Sequence, residues 1–291
     1  MIRSMTGYGS AEKITKKYQI KIEIKSLNGK FLELNLRTPK ALAEKEPLLR
    51  KYLSKLLIRG SVLCTLTIDP VGEAAEGSTI NTALAKHYFE QIKSLSDELG
   101  TNDKDILRSI LMLPDVMTVE EGNIEESDWK EILKTVDDAY EKFDTFRQNE
   151  GSELMAMLLE HNTTIKNQIP AIETFEVERK QLVKDRLLSG LDEYAREKGN
   201  VDMNRFEQEL IFYLEKLDIA EEKNRLRTHC ELFEKELNKG SNGKKLGFIS
   251  QEMGREINTL GSKANYAPIQ ELVIVMKEEL EKIKEQTLNV L

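Results

Sequence analysis

The sequence predicts an α+β protein: a small N-terminal β-rich domain, built as strand, hairpin, helix and strand, followed by a long-helix α-helical body and a C-terminal helical domain. Three observations predict this fold class. Apolar residues alternate within the first 70 residues, helical spacing dominates from Thr79 onward, and only 6 prolines and 16 glycines occur among 291 residues. So few turn residues argue against a loop-rich all-β protein and against a disordered chain.

The N-terminal strands show a period of two. Tyr18–Leu27 alternates isoleucines with charged residues, and Phe31–Arg37 alternates again. Because Asn28 and Gly29 between them form a turn signal, the two strands are predicted to pair as a hairpin. A helix and a further strand complete the domain, over Glu44–Leu57 and Ser61–Ile68.

The rest of the chain is predicted to be mostly helical. A kink or break is expected at Pro170, inside the longest helical tract. The organisation suggests a domain over residues 1–75, a middle region over 76–200 and a C-terminal domain over 201–291 that carries the chemistry. The predicted helices cover Ile80–Leu99, Asp103–Leu111, Ser127–Lys198, Arg205–Asn238, Lys245–Gly261 and Ala267–Leu288.

The net charge of −8 hides an asymmetry along the chain. Residues 1–69 contain 14 Lys/Arg and 6 Asp/Glu, a net of +8, and the other 222 residues carry a net of −16. A basic segment attracts phosphates. An acidic helical body either holds divalent metal or is a solvated surface, and charge runs usually mean solvation.

The sequence excludes several classes of protein. The two cysteines, Cys64 and Cys230, cannot build a disulfide framework or a cysteine-rich zinc site. No apolar run reaches the about 18 residues that a membrane span needs, and the segment MIRSMTGYGS lacks the apolar core of a secretory signal. We therefore expect a cytoplasmic protein that does not contact a membrane. Without a GxGxxG, Walker A, GxSxG or CxxC motif, we expect no nucleotide cofactor.

Two polar stripes mark the C-terminal helices. Positions spaced i, i+4, i+7 and i+11 share one helical face. The first stripe holds Asp218, Glu222, Arg225 and His229, with Glu221 beside it; the second holds Glu252, Glu256, Thr259 and Lys263, with Arg255, Asn258 and Ser262 as its neighbours.

These stripes allow two interpretations. Packed antiparallel, they could place carboxylates and an imidazole around Mn²⁺ or Mg²⁺, which prefer oxygen ligands, while Arg225, Arg255 and Lys263 clamp phosphates. The alternative is ion pairing between helices, which uses the same residue types and is favoured by spacing alone. In the basic N-terminal segment, a half-solvated sheet with lysines on its wet face is likewise favoured over phosphate binding from composition alone.

Longer segments at both ends of the chain are distinctive. At the N-terminus these are MIRSMTGYG, SLNGKFLEL, RTP and RGSV; at the C-terminus they are KLDIAEEKNRLRTH, GKKLGFISQEMGREINTLGSKA and EELEKIKEQTLNV. In this order, along nearly the whole chain, they resemble the YicC/YloC family of bacterial endoribonucleases. The resemblance implies a metal-dependent endoribonuclease, with Mn²⁺ as the first choice and Mg²⁺ as the second. It also implies a homo-oligomer, a hexamer, that holds RNA in a channel or clamp.

Matched position by position, the family motifs give the candidate site residues. The catalytic set is Glu221, Glu222, His229, Glu252, Glu256 and Lys263, of which Glu222, His229, Glu252 and Glu256 are the candidate metal ligands. The RNA-binding set is Arg3, Asn28, Lys30, Arg37, Arg59, Arg225, Arg255 and Asn258. Two other functions use the same features: an RNA-binding adaptor that presents RNA to another nuclease without cutting it, and a scaffold built on the long helices.

Overall fold

The fold combines a four-stranded sheet with a mostly helical body, which confirms the predicted α+β class. The computed structural model describes residues 2–71, 79–100, 105–118, 124–198 and 203–291. Its strands are β1 (Gly7–Ile14), β2 (Tyr18–Leu27), β3 (Leu32–Arg37), β4 (Gly60–Pro70), β5 (Thr79–Ile80) and β6 (Met117–Thr118). Its helices are α1 (Glu46–Leu56), α2 (Thr82–Leu99), α3 (Ile106–Leu111), α4 (Glu126–Lys198), α5 (Met203–Lys216), α6 (Ala220–Asn238), α7 (Gly243–Lys263) and α8 (Ala267–Thr287).

Two compact units make up the chain. The first contains Met1–Gly7, Ser26–Phe31 and Asp144–Leu291, and the second contains Tyr8–Lys25 and Leu32–Phe143. Each unit has a buried apolar core of its own. The three-part division at residues 75 and 200 stays a prediction. No helix in the described part of the chain is both long and apolar enough to cross a membrane.

The main sheet has the strand order β1-β2-β4-β3. Strand β3 pairs in parallel with β4, with Leu36 opposite Cys64, and α1 makes the connection between them. The predicted hairpin between β2 and β3 is therefore wrong, because β4 lies between those strands. A connection of only three residues instead joins β1 to its neighbour β2.

Burial explains why β4 takes the central position. Its inward residues Val62, Cys64 and Leu66 are almost completely buried, whereas β3 buries only Leu36. A strand whose whole inner face is apolar gains most from neighbours on both sides. A local turn signal between β2 and β3 cannot show that β4 will lie between them, because β4 follows both strands in the chain.

The first part of α4 completes the core of the second unit. Trp129, Val136 and Phe143 lie in the same buried cluster as the inner residues of the sheet. Helix and sheet approach closely at Gly9, where a Cβ atom would stand 2.3 Å from the carbonyl oxygen of Ala139. Glycine is required there because any side chain would push the helix away from β1.

Local capping sets the bounds of α2. The Asn81 side chain accepts a hydrogen bond of 3.1 Å from the Leu84 amide, so the helix begins at Thr82 rather than at the predicted Ile80. It ends at Gly100, whose φ of 64° lies in the left-handed region that glycine favours. Helix α3 begins at Ile106, and the predicted start at Asp103 lies outside the described residues.

Helix α4 runs through Pro170 without ending, so a break there is wrong. Proline removes one backbone hydrogen bond and costs about 3 kcal/mol inside a helix. Pro170 itself is exposed, so its ring takes up no position in the core. Ile165, Ile169 and Ile172 around it are buried in the core of the first unit, and burying each such side chain stabilises by roughly 1.5–3 kcal/mol.

The chain bends between α5 and α6, at residues 217–219. The sequence predicts a single helix over Arg205–Asn238, and that prediction is wrong. Ile219 is completely buried at the start of α6. Arg179 on α4 donates a hydrogen bond of 2.8 Å to the Leu217 carbonyl, which gives a carbonyl at the end of α5 a partner that its own helix cannot supply. Asp218 therefore lies in the bend and not on the helical stripe.

Helices α6 and α7 form an antiparallel hairpin closed by a turn at residues 239–242. The nearly buried carboxylate of Glu236 accepts hydrogen bonds from Lys239 (3.0 Å), Ser241 (2.6 Å) and Lys245 (2.6 Å). The Lys245, Ser241 and Lys239 contacts lower the pKa of Glu236 from its usual 4.5 to about 2. The Asn242 side chain caps α7 by accepting from the Lys245 amide.

We predict that Glu236→Gln destabilises the protein at neutral pH. A carboxyl whose pKa is depressed on folding contributes stability above its unfolded pKa, and that contribution is lost as pH falls through the folded pKa. The difference in unfolding free energy between wild type and Glu236→Gln should therefore shrink as pH falls from about 4.5 towards 2. Urea unfolding at several pH values measures it, with Glu231→Gln, at an exposed position on the same helix, as control. A constant difference across this range would contradict the prediction.

Candidate active site

A salt bridge joins the start of α6 to the end of α7. The Lys263 Nζ atom lies 2.7 Å from Glu222 Oε1. The Glu222 side chain is only 8% exposed, while that of Lys263 is 34% exposed and reaches solvent. The second carboxylate oxygen, Glu222 Oε2, is buried and has no hydrogen-bond partner within the described residues. An oxygen of this kind is costly unless a ligand or a metal ion completes it.

Helix geometry places this pair. Glu222 lies in the first turn of α6 and Lys263 in the last turn of α7. The amino end of a helix favours negative charge and the carboxyl end favours positive charge, by about 0.3–1 kcal/mol each. An antiparallel hairpin brings these two ends together, so the two polar stripes meet at this pair.

A buried guanidinium supports the pair from α4. Arg179 is 4% exposed and donates to the carbonyl oxygens of Lys263 (3.0 Å) and Leu217 (2.8 Å). It thereby fixes the backbone at the end of α7 and in the bend before α6. Burial lowers the pKa of Arg179, and the neighbouring carboxylates of Glu176 and Asp218 oppose that shift.

A second buried carboxylate, that of Glu176, lies on α4 one helical turn before Arg179. Glu176 is paired with Lys223 on α6 and with Lys180, the latter at 2.9 Å. Burial alone would raise the pKa of Glu176, but the hydrogen bonds from Lys223 and Lys180 outweigh it and lower the pKa. Glu176 is therefore ionised at neutral pH. We call Glu176, Arg179, Glu222, Lys223 and Lys263 the ionic centre.

Two further ion pairs line the more exposed part of the same helices. Arg225 pairs with Glu221 and lies 4.0 Å from Glu256 Oε1, and Arg255 lies 2.9 Å from Glu252 Oε1. The guanidinium side chains are 59% and 75% exposed, so both can exchange a carboxylate for a phosphate. The structure therefore contains exposed ion pairs on the stripes, as the alternative interpretation expects, beside the buried pair.

Some candidate residues are not brought into contact with the ionic centre. His229 is half-buried on α6, and its imidazole forms no side-chain hydrogen bond or ion pair within the described part of the chain. Asn258 is exposed on α7. Asp218 lies in the bend before α6, with its carboxylate 3.8 Å from Lys180.

The donor atoms fit an open metal site but not a closed one. Across the described ranges, no three His, Cys, Asp or Glu side chains converge as a metal-binding group. Sites for Mg²⁺ commonly use one or two carboxylates, with waters and substrate phosphates as the other ligands, and Mn²⁺ also prefers oxygen. The unpartnered Glu222 Oε2 is a suitable oxygen for such a site. A cage made only of this chain's side chains is excluded for the described residues.

The N-terminal candidates occupy both units. In the first unit, Arg3 lies 3.3 Å from Asp144, the Asn28 amide donates to Asn289 (3.3 Å), and Lys30 lies against the Phe31 ring. The two other candidates lie in the second unit, Arg37 exposed at the end of β3 and Arg59 half-buried before β4.

Sequence analysis missed three members of the ionic centre, Glu176, Arg179 and Lys223. A signal for them exists. On α6, Lys223 continues the spacing of the buried residues Leu226 and Cys230, and on α4, Glu176 and Arg179 continue the spacing of the buried isoleucines. Charged residues at positions reserved for core side chains indicate a buried ionic network rather than a solvated surface.

Comparison with known families assigns the chain. Residues 2–156 match the family described as Endoribonuclease YicC-like, N-terminal region, and residues 172–291 match Endoribonuclease YicC-like, C-terminal. The chain belongs to the YicC-like family. This confirms the resemblance noted from the sequence motifs, and the five residues of the ionic centre, on α4, α6 and α7, all lie in the family's C-terminal part.

Two relatives match over their full length. The chain is 30% identical to the probable endoribonuclease YicC of Clostridioides difficile (strain 630), with 100% of both chains covered. It is also 30% identical to the probable endoribonuclease YicC of Haemophilus influenzae, with 99% of both chains covered.

We predict that Arg179→Met destabilises the protein by about 2 kcal/mol, because two carbonyls lose a charged donor in a buried place. Arg227 on α6 offers a matched control, since its half-exposed guanidinium pairs with Glu173 at 3.0 Å. Arg227→Met should cost about 0.5 kcal/mol, as is usual for surface pairs. Urea unfolding measures both variants. Equal losses of unfolding free energy in the two variants would mean that Arg179 contributes no more than a residue in an ordinary surface ion pair.

Proposed function

We propose that this chain is a metal-dependent endoribonuclease that cleaves RNA phosphodiester bonds at the ionic centre. The observation that carries the proposal is the buried Glu222–Lys263 pair, which leaves one carboxylate oxygen without a partner. Strongly desolvated charges are retained chiefly where they serve chemistry or a buried network. The family description and the names of both relatives support RNA cleavage as the reaction.

In this proposal Glu222 is the residue that holds the divalent ion, with Mn²⁺ as the first choice and Mg²⁺ as the second. Such an ion, when bound, neutralises charge on the scissile phosphate and lowers the pKa of a bound water. Glu222 presents Oε2 at a fixed position because Lys263 holds Oε1 and the backbone of Lys263 is held by Arg179. Glu252 and Glu256, whose side chains are 22% and 12% exposed, and the half-buried His229 are the further candidate ligands on these two helices.

Cationic side chains hold the RNA. Lys263 is partly exposed, so its ammonium can contact a phosphate while it remains beside Glu222. Arg225 and Arg255 extend into solvent from the same helices, and a guanidinium binds phosphate through two parallel hydrogen bonds. Their present partners, Glu221 and Glu252, keep both side chains near the centre when no RNA is bound.

We also propose that the active form is a homo-oligomer, a hexamer, that holds RNA in a channel or clamp. Large apolar side chains on α4 and α5 are exposed in the single chain, among them Val177 (72%), Ile211 (59%) and Phe212 (65%). Apolar surface of this kind is typical of protein interfaces. Full turnover by a stable monomer would contradict this part of the proposal.

One observation favours a second function. Because no three candidate ligands converge within the described residues, the centre could bind RNA without cutting it, as an adaptor that presents RNA to another nuclease. The two functions differ in one measurable property, which is divalent-dependent cleavage by the purified protein.

We predict that Glu222→Gln reduces cleavage by at least about 100-fold and leaves RNA affinity within a few-fold. The amide keeps the shape of the side chain but supplies a poor metal ligand and no negative charge. A labelled single-stranded RNA is incubated with wild type or variant in Mn²⁺, Mg²⁺ or EDTA. Cleavage should need the divalent ion and vanish in EDTA.

The exposed Glu231→Gln on the same helix is the control and should cleave at the wild-type rate. Cleavage by Glu222→Gln at the wild-type rate would remove Glu222 from the site. Tight RNA binding by wild type without cleavage in any metal would support the adaptor.

A further inference from the structure

An aromatic ring is presented to solvent by the loop between β2 and β3. Phe31 is 70% exposed, more than any other aromatic side chain whose burial is described. Exposing a phenylalanine ring to this extent forgoes most of the stabilisation that its burial would bring. An aromatic ring exposed to this extent in a loop is available to a partner that would cover it.

A cation accompanies this ring. The Lys30 Nζ atom lies 5.6 Å from the centroid of the Phe31 ring. Phe248 on α7 is almost as exposed, at 63%, but carries no such cation among the described residues. An exposed apolar ring with an ammonium over it matches a nucleotide, which offers a flat base and a phosphate.

The base of this loop is anchored. The Asn28 amide donates to Asn289 Oδ1 at 3.3 Å, and the Asn289 carbonyl accepts from the Met5 amide at 2.8 Å. The Asn289 amide in turn donates to Gln286 at 3.2 Å. These contacts lie within the first unit and hold the segment that carries the ring, which reduces the entropy lost when a ligand binds.

We propose that Phe31 and Lys30 form a subsite for one unpaired nucleotide, with the base stacked on the ring and its phosphate at the ammonium. The inference rests on the proposed function, because it assumes that RNA is the ligand. It adds that the RNA is single-stranded at this point. Within a duplex the faces of the bases are covered by their neighbours, so a side chain cannot stack on them. The net charge of +8 over residues 1–69 favours a nucleic acid over an apolar protein partner.

The test compares two RNA forms and three variants. A fluorescent single-stranded adenosine RNA of about 12 nucleotides, a length within the range of known single-strand sites, and a duplex of the same length are titrated in anisotropy experiments. All proteins carry Glu222→Gln to suppress cleavage. Phe31→Ala should weaken single-strand binding about tenfold, as expected for one stacked base, and change duplex binding less than twofold.

Two further variants give the matched comparisons. Phe31→Trp keeps a stacking face and should bind the single strand as tightly as the parent. Because the chain's one tryptophan, Trp129, is buried, the new indole should also report stacking through quenching of its fluorescence. Phe248→Ala removes an equally exposed ring and should leave both affinities unchanged.

Equal losses for single strand and duplex would overturn the subsite, since stacking requires unpaired bases. Unchanged RNA affinity in Phe31→Ala together with a change of oligomeric state by light scattering would also overturn it and would assign the ring to contacts between protein copies. The assay measures binding alone. Selective single-strand binding through Phe31 would therefore support the subsite even if the wild type never cleaved RNA, and that failure would count only against the nuclease.

Discussion

The burial of the Glu222 carboxylate beside Lys263 is the physical constraint around which helices α4, α6 and α7 are arranged. Removing a carboxylate from water costs several kcal/mol, and a single ammonium partner seldom offsets that cost. Here the neighbouring elements contribute. Arg179 holds the backbone beneath the pair, and Glu176 with Lys223 balances the local charge. The long helix α4, the bend before α6 and the α6–α7 hairpin are all needed to assemble these groups.

Two buried carboxylates on α6 differ in how completely they are hydrogen-bonded. Glu236 accepts hydrogen bonds from three side chains that flank the turn, and its depressed pKa of about 2 reflects that full set of donors. Glu222, at the opposite end of the helix, has one oxygen paired and one unpaired. Glu236 has donors on both of its oxygens, so the contrast assigns the closing of the hairpin to Glu236 and leaves Glu222 Oε2 available to a ligand.

The sequence could predict those parts of the fold that local periodicity determines. Alternation defines β2, and the spacing of Glu222 with Arg225, and of Glu256 with Lys263, identifies the faces that meet between α6 and α7. The central position of β4 could not be predicted, because it depends on how deeply each strand is buried in the finished sheet. The bend before α6 also escaped prediction, since Arg179, about 40 residues earlier in the chain, caps Leu217.

For the candidate site, too, the sequence predicted the helix faces involved but not how their residues are used. Periodicity alone could not rank a metal site above ion pairs, and both kinds of contact occur on the two helices. What the structure adds is burial, which separates Glu222 from the exposed Glu221 and reveals Glu176, Arg179 and Lys223 behind it. Burial depends on packing between distant segments, so no local pattern reports it directly.

The central claim is that the Glu222–Lys263 pair is kept for chemistry rather than for stability. The double variant Glu222→Leu/Lys263→Met tests it most directly, with the unfolding free energy and RNA cleavage measured on the same sample. Replacing a buried ion pair with apolar residues is often neutral or stabilising by about 1–4 kcal/mol. Our account predicts a variant that is at least as stable as wild type and cleaves no RNA. A stable variant that still cleaves at the wild-type rate would contradict it.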